Sequence, residues 1–470
     1  MKEVDLSQIA IGKKTSLAFY SRDGHLLLSQ DVMVEPHHIE ALRRNNNTTL
    51  YVKDSEDDEI QKLIEKQYTI EDIELDGNGK KKALTDDIPP EIPLEPEAPK
   101  ALELAEFKGI KSGREGFEQL NNSSKAADID KDISSETGMG DPSGPPLSEQ
   151  CKEIDVSERT EEYKGKIAFS YSNALSEVAL VMNTLANGHA TNGRNLRAIV
   201  ERFVETFVND KNILLNISGI KPRGQDYLYN HTLNVCLLSI NIAAANNYSR
   251  EQVVEIGMGA LLHDVGMLLT PKNIRLKKGR LDRDELFEIH KHSIIGLHLL
   301  ENVSRLPRQV PIVAYQNHER DNKLGYPKRR SRRLIHSYAR IVQIADVFEA
   351  LSSPRVYRPA FTPYKGMEAL IKLTRKGFIS GELLRAFLTY SSLFPVGSLV
   401  ELSSGSIARV IKANGRSFTK PNVSVLTDNN KSLLSRDTIY QVDLTRETDT
   451  SITHALPYGS LDGMHIMDGF

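Results

Sequence analysis

The sequence predicts a mainly α protein. An all-α helical domain occupies residues 161–393, a small α+β unit precedes it at 1–75, and a small β-rich, barrel-like module follows at 394–470. Three observations lead there. Across 161–393 apolar side chains recur at three- and four-residue steps, as in LRAIVERFVETFVNDKNILLNI, the spacing of one helix face. After LFPVGSLVEL the period drops to two, in LVELSSGSIARVIKAN, NVSVLTD and DTIYQVDL, with Gly, Asn and Asp between them. Between 76 and 160, DDIPPEIPLEPEAPKALELAE and SSETGMGDPSGPPLSEQ are rich in Pro, Ser, Gly and acid, which predicts a largely disordered linker.

In chain order, TSLAFYSRDGHLLLS places a polar RDG turn between two apolar runs and predicts a hairpin. EPHHIEALRRNNN predicts a short helix whose His37 and His38 are surface residues, and TTLYVKD a returning strand. ALELAEFKGI predicts at most a transient helix within the linker. Over 470 residues, 60 Lys and Arg against 63 Asp and Glu leave a net charge of −3, which gives no global case for nucleic-acid binding. Cys151 and Cys236 lie far apart, so no disulfide framework is expected and a reducing cytoplasm fits. The start, MKEVDLSQIAIGKK, has no signal-peptide core, and no window approaches the ~20 uninterrupted apolar residues of a membrane span.

Ionisable residues sit inside apolar helical stretches at four places. DYLYNHTLNVCLLSINIAAA places His231 on a buried stripe with Leu228, Val235, Leu238 and Ile242. VVEIGMGALLHDVGM is apolar up to His263 and Asp264, just before Gly266 ends the helix. RIVQIADVFEALSS holds Asp346, and ELFEIHKHSIIGLHLLEN carries His290, His292 and His298. An isolated carboxylate in a packed core is too costly to keep, so each buried Asp needs a partner. A cation shared among His nitrogens and Asp oxygens answers that need for His231, His263, Asp264 and Asp346, and Zn, Mn or Fe suit such ligands. Neighbouring helical residues diverge by about 100°, yet near a helix end His263 and Asp264 can reach one ion, and a two-oxygen carboxylate can bridge two. His298 and His336 are expected to be hydrogen-bonded core residues, and His290 stays open between the two readings.

These residues resemble the H…HD…D signature of HD-superfamily metal-dependent phosphohydrolases, which gives the helical domain an HD-type fold. HSIIG at 292–296, NHERDNKLGYP at 317–327 and ADVFEALSSPRVYRPA at 345–360 further resemble the HD-GYP subfamily, whose active members hydrolyse cyclic di-GMP. The resemblance implies two adjacent divalent transition metals, Mn, Fe or Zn. His231, His263, Asp264 and Asp346 hold the first, Asp264 bridges to the second and is the catalytic carboxylate, and His292 and His318 complete the second. It also implies that Gly325, Tyr326 and Pro327 shape the substrate cleft, and that Arg355 and Arg358 face the phosphate, a match for the guanidinium fork. The implied partners are cyclic di-GMP, signalling proteins and a second copy of the chain, since HD-GYP domains can pair through their helices.

The sequence departs from that pattern at named positions. Asn317 stands where a second histidine is usual, which weakens the second metal, and Met267 stands where a lysine is expected to meet the phosphate or leaving oxygen. Asn322-Lys323 replaces an Asp-Gly pair, and Tyr227 replaces the Glu that would serve a third metal. Lys323 or water would then have to replace the missing proton donor. Three functions follow: a cyclic di-GMP phosphodiesterase yielding pGpG or GMP, a catalytically degenerate cyclic di-GMP receptor or interaction module, or an HD phosphohydrolase for another nucleotide. The run PKRRSRR at 327–333 is expected to be a solvated loop; the other readings are phosphate steering and an acidic partner.

Overall fold

The computed structural model describes residues 107, 109–135, 140–154, 159–217, 227–353, 360–415 and 417–456, and four short strands near the N-terminus. The chain divides into two compact units, Met1–Glu74 and Leu75–Phe470. In the first, β1 (Lys2–Asp5), β2 (Phe19–Tyr20), β3 (Leu26–Leu28) and β4 (Thr49–Val52) form an antiparallel sheet in the order β1-β4-β2-β3. Phe19 pairs with Leu28 across the RDG segment. The helix expected at EPHHIEALRRNNN, with His37 and His38, lies outside the described residues.

The second unit departs from the expected 76–160 linker. Residues 76–106 lie outside the described residues, but α1 (Gly113–Asn121) and α2 (Ser124–Ser135) are ordered helices. They bury Phe117, Leu120, Ala126 and Ile133, and 140–154 runs on along the core with Leu147 wholly buried and its amide donating to Tyr248 O at 2.9 Å. Composition argued for disorder because most of these side chains are polar. A few apolar ones suffice once a folded surface is there to receive them. In the PKRRSRR run Arg329, Arg332 and Arg333 are exposed, as a solvated loop requires, and Arg330 is the exception. Arg330 is 7% exposed, beneath the Glu319 carboxylate at 3.8 Å and ion-paired with Asp130 of α2, while Lys328 reaches Asp130 at 3.5 Å. At Lys328 and Arg330 the acidic partner is the chain itself.

The helical core starts with α3 (Glu161–Ala186), where the Thr160 hydroxyl accepts from Tyr163 N at 3.2 Å and caps the first turn. β5 (Thr191–Asn192) leads into α4 (Gly193–Asn209), whose Leu196, Ile199, Val200, Phe203, Val204 and Phe207 form one buried stripe. α5 (Ile213–Ile217) is short. α6 (Tyr227–Ala245) and α7 (Arg250–Leu262) are buried on nearly every side and pack on each other at the centre. Among the described residues, Arg250–Leu269 is long and apolar enough to cross a membrane, but 78% of its most apolar window is buried in this core.

After α7 the chain tightens into a 3₁₀ turn, Val265–Leu269, then runs through α8 (Lys272–Arg275), α9 (Arg283–His290), α10 (His292–Leu300), β6 (Val303–Ser304) and α11 (Gln309–Gln316). Asp282 and Glu285 close a capping box at the start of α9. Gly266 is needed here: a Cβ on it would lie 2.1 Å from His292 O, so the turn carrying His263 and Asp264 can sit directly against α10. α12 (Ser337–Ser352) crosses behind α6, and α13 (Pro363–Arg375) and α14 (Gly381–Ser391) close the bundle.

A five-stranded antiparallel sheet ends the described chain, with β7 (Leu399–Leu402), β8 (Ile407–Lys412), β9 (Asn422–Val425), β10 (Tyr440–Asp443) and β11 (Ile452–Leu456) in the order β10-β9-β8-β7-β11. Val400, Ala408, Val410, Val423 and Val425 fill its inner face. The mainly α fold with a β-rich C-terminal part is the predicted one.

Candidate metal centre

Three apolar helices bring the first cluster together. His231 lies one turn into α6, His263 caps the C-terminus of α7, and Asp346 lies mid-way along α12. Burying the flanks of these helices leaves the three polar groups no solvent, and they meet one another with ligand atoms all within 4.8 Å. His231 Nε2 is 3.3 Å from Asp346 Oδ1 and 3.6 Å from Asp264 Oδ2. The second cluster joins Asp264 to His292, the first residue of α10, and His318, which follows α11. His292 Nε2 and His318 Nε2 approach Asp264 Oδ1 at 3.3 and 3.7 Å, and His263 Nε2 approaches the same oxygen at 3.5 Å. Asp264 therefore stands between the clusters, with Oδ2 toward His231 and Oδ1 toward His263, His292 and His318. α7 itself stops at Leu262, ahead of the pair and not at Gly266 as its sequence suggests, and this frees both side chains from helical divergence.

The far nitrogens of the imidazoles are already committed. His263 Nδ1 donates to Ala260 O at 2.8 Å, His292 Nδ1 donates to Ile289 O at 2.6 Å, and His231 Nδ1 donates to the Glu349 carboxylate. Each bond fixes the tautomer so that the lone pair on Nε2 faces inward, the arrangement metal-ligating histidines use. The inward atoms have no such partner: His263 Nε2, His292 Nε2, His318 Nε2 and Asp264 Oδ1 are buried without a hydrogen bond. Converging orphaned lone pairs are costly unless something positive sits among them. The residues present thus fit a divalent cation at each cluster.

Electrostatics agree with that. Burial pushes the Asp264 carboxyl up, but His263, His318, His292 and His231 around it prevail and hold it well below the usual carboxylate range. Asp346 is lowered in the same way, against its burial, by His231, His318 and His263. Burial, with His318 adding to it, lowers His292 to about 4. At neutral pH anionic carboxylates face a neutral His292 imidazole, the protonation state in which both donate to a cation.

The structure brings together His231, His263, Asp264, His292, His318 and Asp346, six positions singled out in sequence. Arg355 and Arg358 lie outside the described residues. Gly325-Tyr326-Pro327 turns back against the chain after α11: Tyr326 N donates to His318 O at 3.0 Å, and a Gly325 Cβ would lie 2.4 Å from that oxygen. Tyr326 is buried, and its ring stacks on His318 on one side and on His290 on the other, with centroids 4.8 and 3.8 Å apart. His290 packs internally against Tyr326 with its Nδ1 buried without a hydrogen bond. His298 and His336 are buried, and His336 Nδ1 accepts from Tyr338 N as a core histidine is expected to. Asn317 turns its amide nitrogen to the first cluster, while its Oδ1 is buried without a hydrogen bond. Its amide Nδ2 donates to Asp346 Oδ2 at 3.1 Å, so it steers a carboxylate of the first. Lys323 is exposed, at a positive φ of 67°.

Sequence reasoning missed Glu349, Asn234 and Glu319. Glu349 orients His231 and lies 3.5 Å from Asn234 Nδ2, whose side chain in turn accepts from Tyr171 OH at 2.9 Å. The signal was present: Glu349 follows Asp346 by one turn on the same apolar helix and is as expensive to bury. Glu319 accepts from the amides of Lys328 and Arg330, both at 2.7 Å, and so anchors the Gly-Tyr-Pro turn.

Residues 222–379 match a family model described as HD domain, and 399–460 match one described as KOW domain associated with HD domain. Over 255 residues the chain is 29% identical to cyclic di-GMP phosphodiesterase PA4108 of Pseudomonas aeruginosa, a match covering 54% of this chain and 61% of that protein. Over 232 residues it is 25% identical to cyclic di-GMP phosphodiesterase PdeB of Borreliella burgdorferi, covering 49% and 60%. A solved HDG"Y"P protein of Bdellovibrio bacteriovorus, Bd1817, aligns with a TM-score of 0.40 at 13% identity, over 82% of this chain and 97% of that one. The chain thus spans about three fifths of the length of the curated relatives named here. The matched HD domain holds both His/Asp clusters and the Gly-Tyr-Pro turn stacked on His318, and the matched KOW module follows it, so residues 222–379 are similar to HD domains and 399–460 to the KOW domain that accompanies them.

Proposed function

We propose that the chain is a metal-dependent phosphodiesterase that hydrolyses cyclic di-GMP to linear pGpG or GMP. The observation that carries this reading is the sharing of Asp264 by two buried His/Asp clusters whose inward atoms lack partners. The curated relatives carry the name of the same activity. His231, His263, Asp264 and Asp346 would hold one cation, and Asp264, His292 and His318 would hold the other. Divalent Mn, Fe or Zn bound there supplies Lewis acidity, which lowers the pKa of water and offsets charge on the phosphoryl oxygens. Arg355 and Arg358 pair with the substrate phosphates and stay charged at any working pH. Met267 gives no proton to the leaving ribose oxygen, so protonation from solvent limits the rate, and positioned acid catalysis is worth about 10²- to 10⁴-fold. The reaction fits a cytoplasmic protein acting on a soluble second messenger.

Turnover of cyclic di-GMP by the full chain with excess Mn²⁺, set against dGTP, 2′,3′-cAMP and 3′3′-cGAMP, tests the proposal. Preferential opening of cyclic di-GMP supports it. Binding without cleavage makes the domain a receptor, and cleavage of dGTP or 2′,3′-cAMP alone assigns a different HD phosphohydrolase activity.

A further inference from the structure

Helices α1 and α2, from the segment whose composition argued for a linker, touch the second cluster's supports on two sides. On the His292 side, Lys291 is 4% exposed and immediately precedes the ligand. Its ammonium donates to Lys111 O, just ahead of α1, at 2.7 Å and to Glu288 at 2.8 Å, and Glu288 also accepts from Gly113 N. On the His318 side the contact runs through a file of rings. Phe117 of α1 meets Phe287 at 5.4 Å and the edge of His290 at 6.2 Å, His290 stacks on Tyr326, and Tyr326 stacks on His318. Beyond Tyr326 the grip is polar. Asn121 Nδ2 donates to Pro327 O at 3.2 Å, Lys328 Nζ donates to Asn121 O at 2.6 Å, and Asp130 of α2 pairs with Lys328 and Arg330.

We infer that α1 and α2 form a built-in brace, in which Phe117 and Asp130 are positioning residues for His318 and His292 and set the affinity of the second cation position. The inference rests on the two-cation reading above and goes beyond it. With the Asn317 amide nitrogen given to Asp346, the second cluster has three His or carboxylate ligands among the described residues. A three-ligand site depends heavily on how well each ligand is held, because an imidazole free to rotate surrenders entropy each time an ion binds. The brace supplies that order from outside the matched HD domain, which begins at residue 222.

The test uses the full chain with Phe117→Ala and Asp130→Asn, and with Asp130→Glu as the conservative control. Hydrogen exchange of the metal-free proteins reads the brace directly: peptides spanning 316–330 should exchange faster in the first two variants and regain protection in Asp130→Glu. Titration with Mn²⁺ should show the weaker equivalent loosened by about 10- to 100-fold, the range for outer-shell partners, while the tighter one is unchanged. Turnover lost at low Mn²⁺ should return at high Mn²⁺, which a general loss of folded protein would not allow. Unchanged exchange at 316–330 in both variants overturns the brace, whatever the metal content. If the unmodified chain takes up no Mn²⁺, the two-cation reading fails, and the exchange data alone then decide whether α1 and α2 hold the His318 turn.

Discussion

The His231 imidazole donates from Nδ1 to the Glu349 carboxylate, one turn beyond Asp346 on the same helix, so α12 both supplies one inward group and aims another. Ser353 Oγ also donates to Glu349, which leaves that carboxylate little freedom to turn. Glu349→Gln keeps the shape and removes the charge. The expected result is a loss of about 10- to 100-fold in affinity for the tighter metal equivalent, the usual cost of removing an outer-shell partner. Calorimetric Mn²⁺ titration reads this, and affinity equal to the unmodified chain would sink the assignment.

Asp264 sits between the clusters, and its substitution should act on both. Asp264→Ala should abolish both metal equivalents and all turnover while far-ultraviolet circular dichroism stays that of a folded helical protein. Metal analysis after dialysis is the measurement, and one retained equivalent would show that the oxygens do not divide as described.

Stability of the metal-free protein should depend on pH with a definite sign. Burial lowers His290 to about 3 and His292 and His336 to about 4, with neighbouring imidazoles adding to the first two. Unfolded histidine titrates near about 6.5. Between those values the unfolded chain binds more protons than the folded one, so the histidine contribution is fully present above about 6.5 and is lost as pH falls toward 4. The depressed carboxyls of Asp264 and Asp346 contribute above about 3.9 and lose that contribution only in stronger acid. The melting temperature without metal should therefore fall between pH 6.5 and 4, and saturating Mn²⁺ should flatten that fall because the cation competes with protons for His292. A metal-free melting temperature constant over that interval contradicts the burial of these imidazoles.

Gly266→Ala should destabilise the fold and weaken metal binding together. The new Cβ meets main chain at His292 O and Gly296 N, 2.1 and 2.8 Å away, so α10 must move and take His292 with it. Overpacking of this kind costs roughly 1–3 kcal/mol. Chemical denaturation gives the stability, and an alanine variant with unchanged stability and metal content would mean that the contact relaxes freely.

The helical core and the centre were legible for one physical reason: polar groups that are ruinous to bury alone appeared repeatedly on apolar helices. His231, His263, Asp264 and Asp346 could be grouped from that argument alone, whereas His292 and His318 entered through the family resemblance. Glu349 carries the same signature and was overlooked because its partner is an imidazole edge facing away from the ion. The brace was illegible for the opposite reason. Phe117 and Asp130 lie in a polar, Gly- and Ser-containing stretch whose order comes from contacts with residues far along the chain, and no local pattern encodes that. Asn317 was recognised as a departure, but its hydrogen bond to Asp346 depends on where α12 passes.

Met267 lies in the 3₁₀ turn three residues after Asp264, with its amide donating to the Asp264 main-chain O at 2.9 Å, so one tight turn carries both residues. Thr270 Oγ1 donates to its sulfur at 3.9 Å, and a thioether carries no proton to give. Met267→Lys should raise kcat for cyclic di-GMP by about 10²-fold, the lower end for a positioned acid, with little change in Mn²⁺ affinity. Asn317→His should do the reverse, tightening the weaker Mn²⁺ equivalent by adding an imidazole while giving up the hydrogen bond that steers Asp346. The two effects fall on different steps, so the double variant should combine them. Equal turnover in Met267→Lys and the unmodified chain would mean that protonation of the leaving oxygen is not what limits this site.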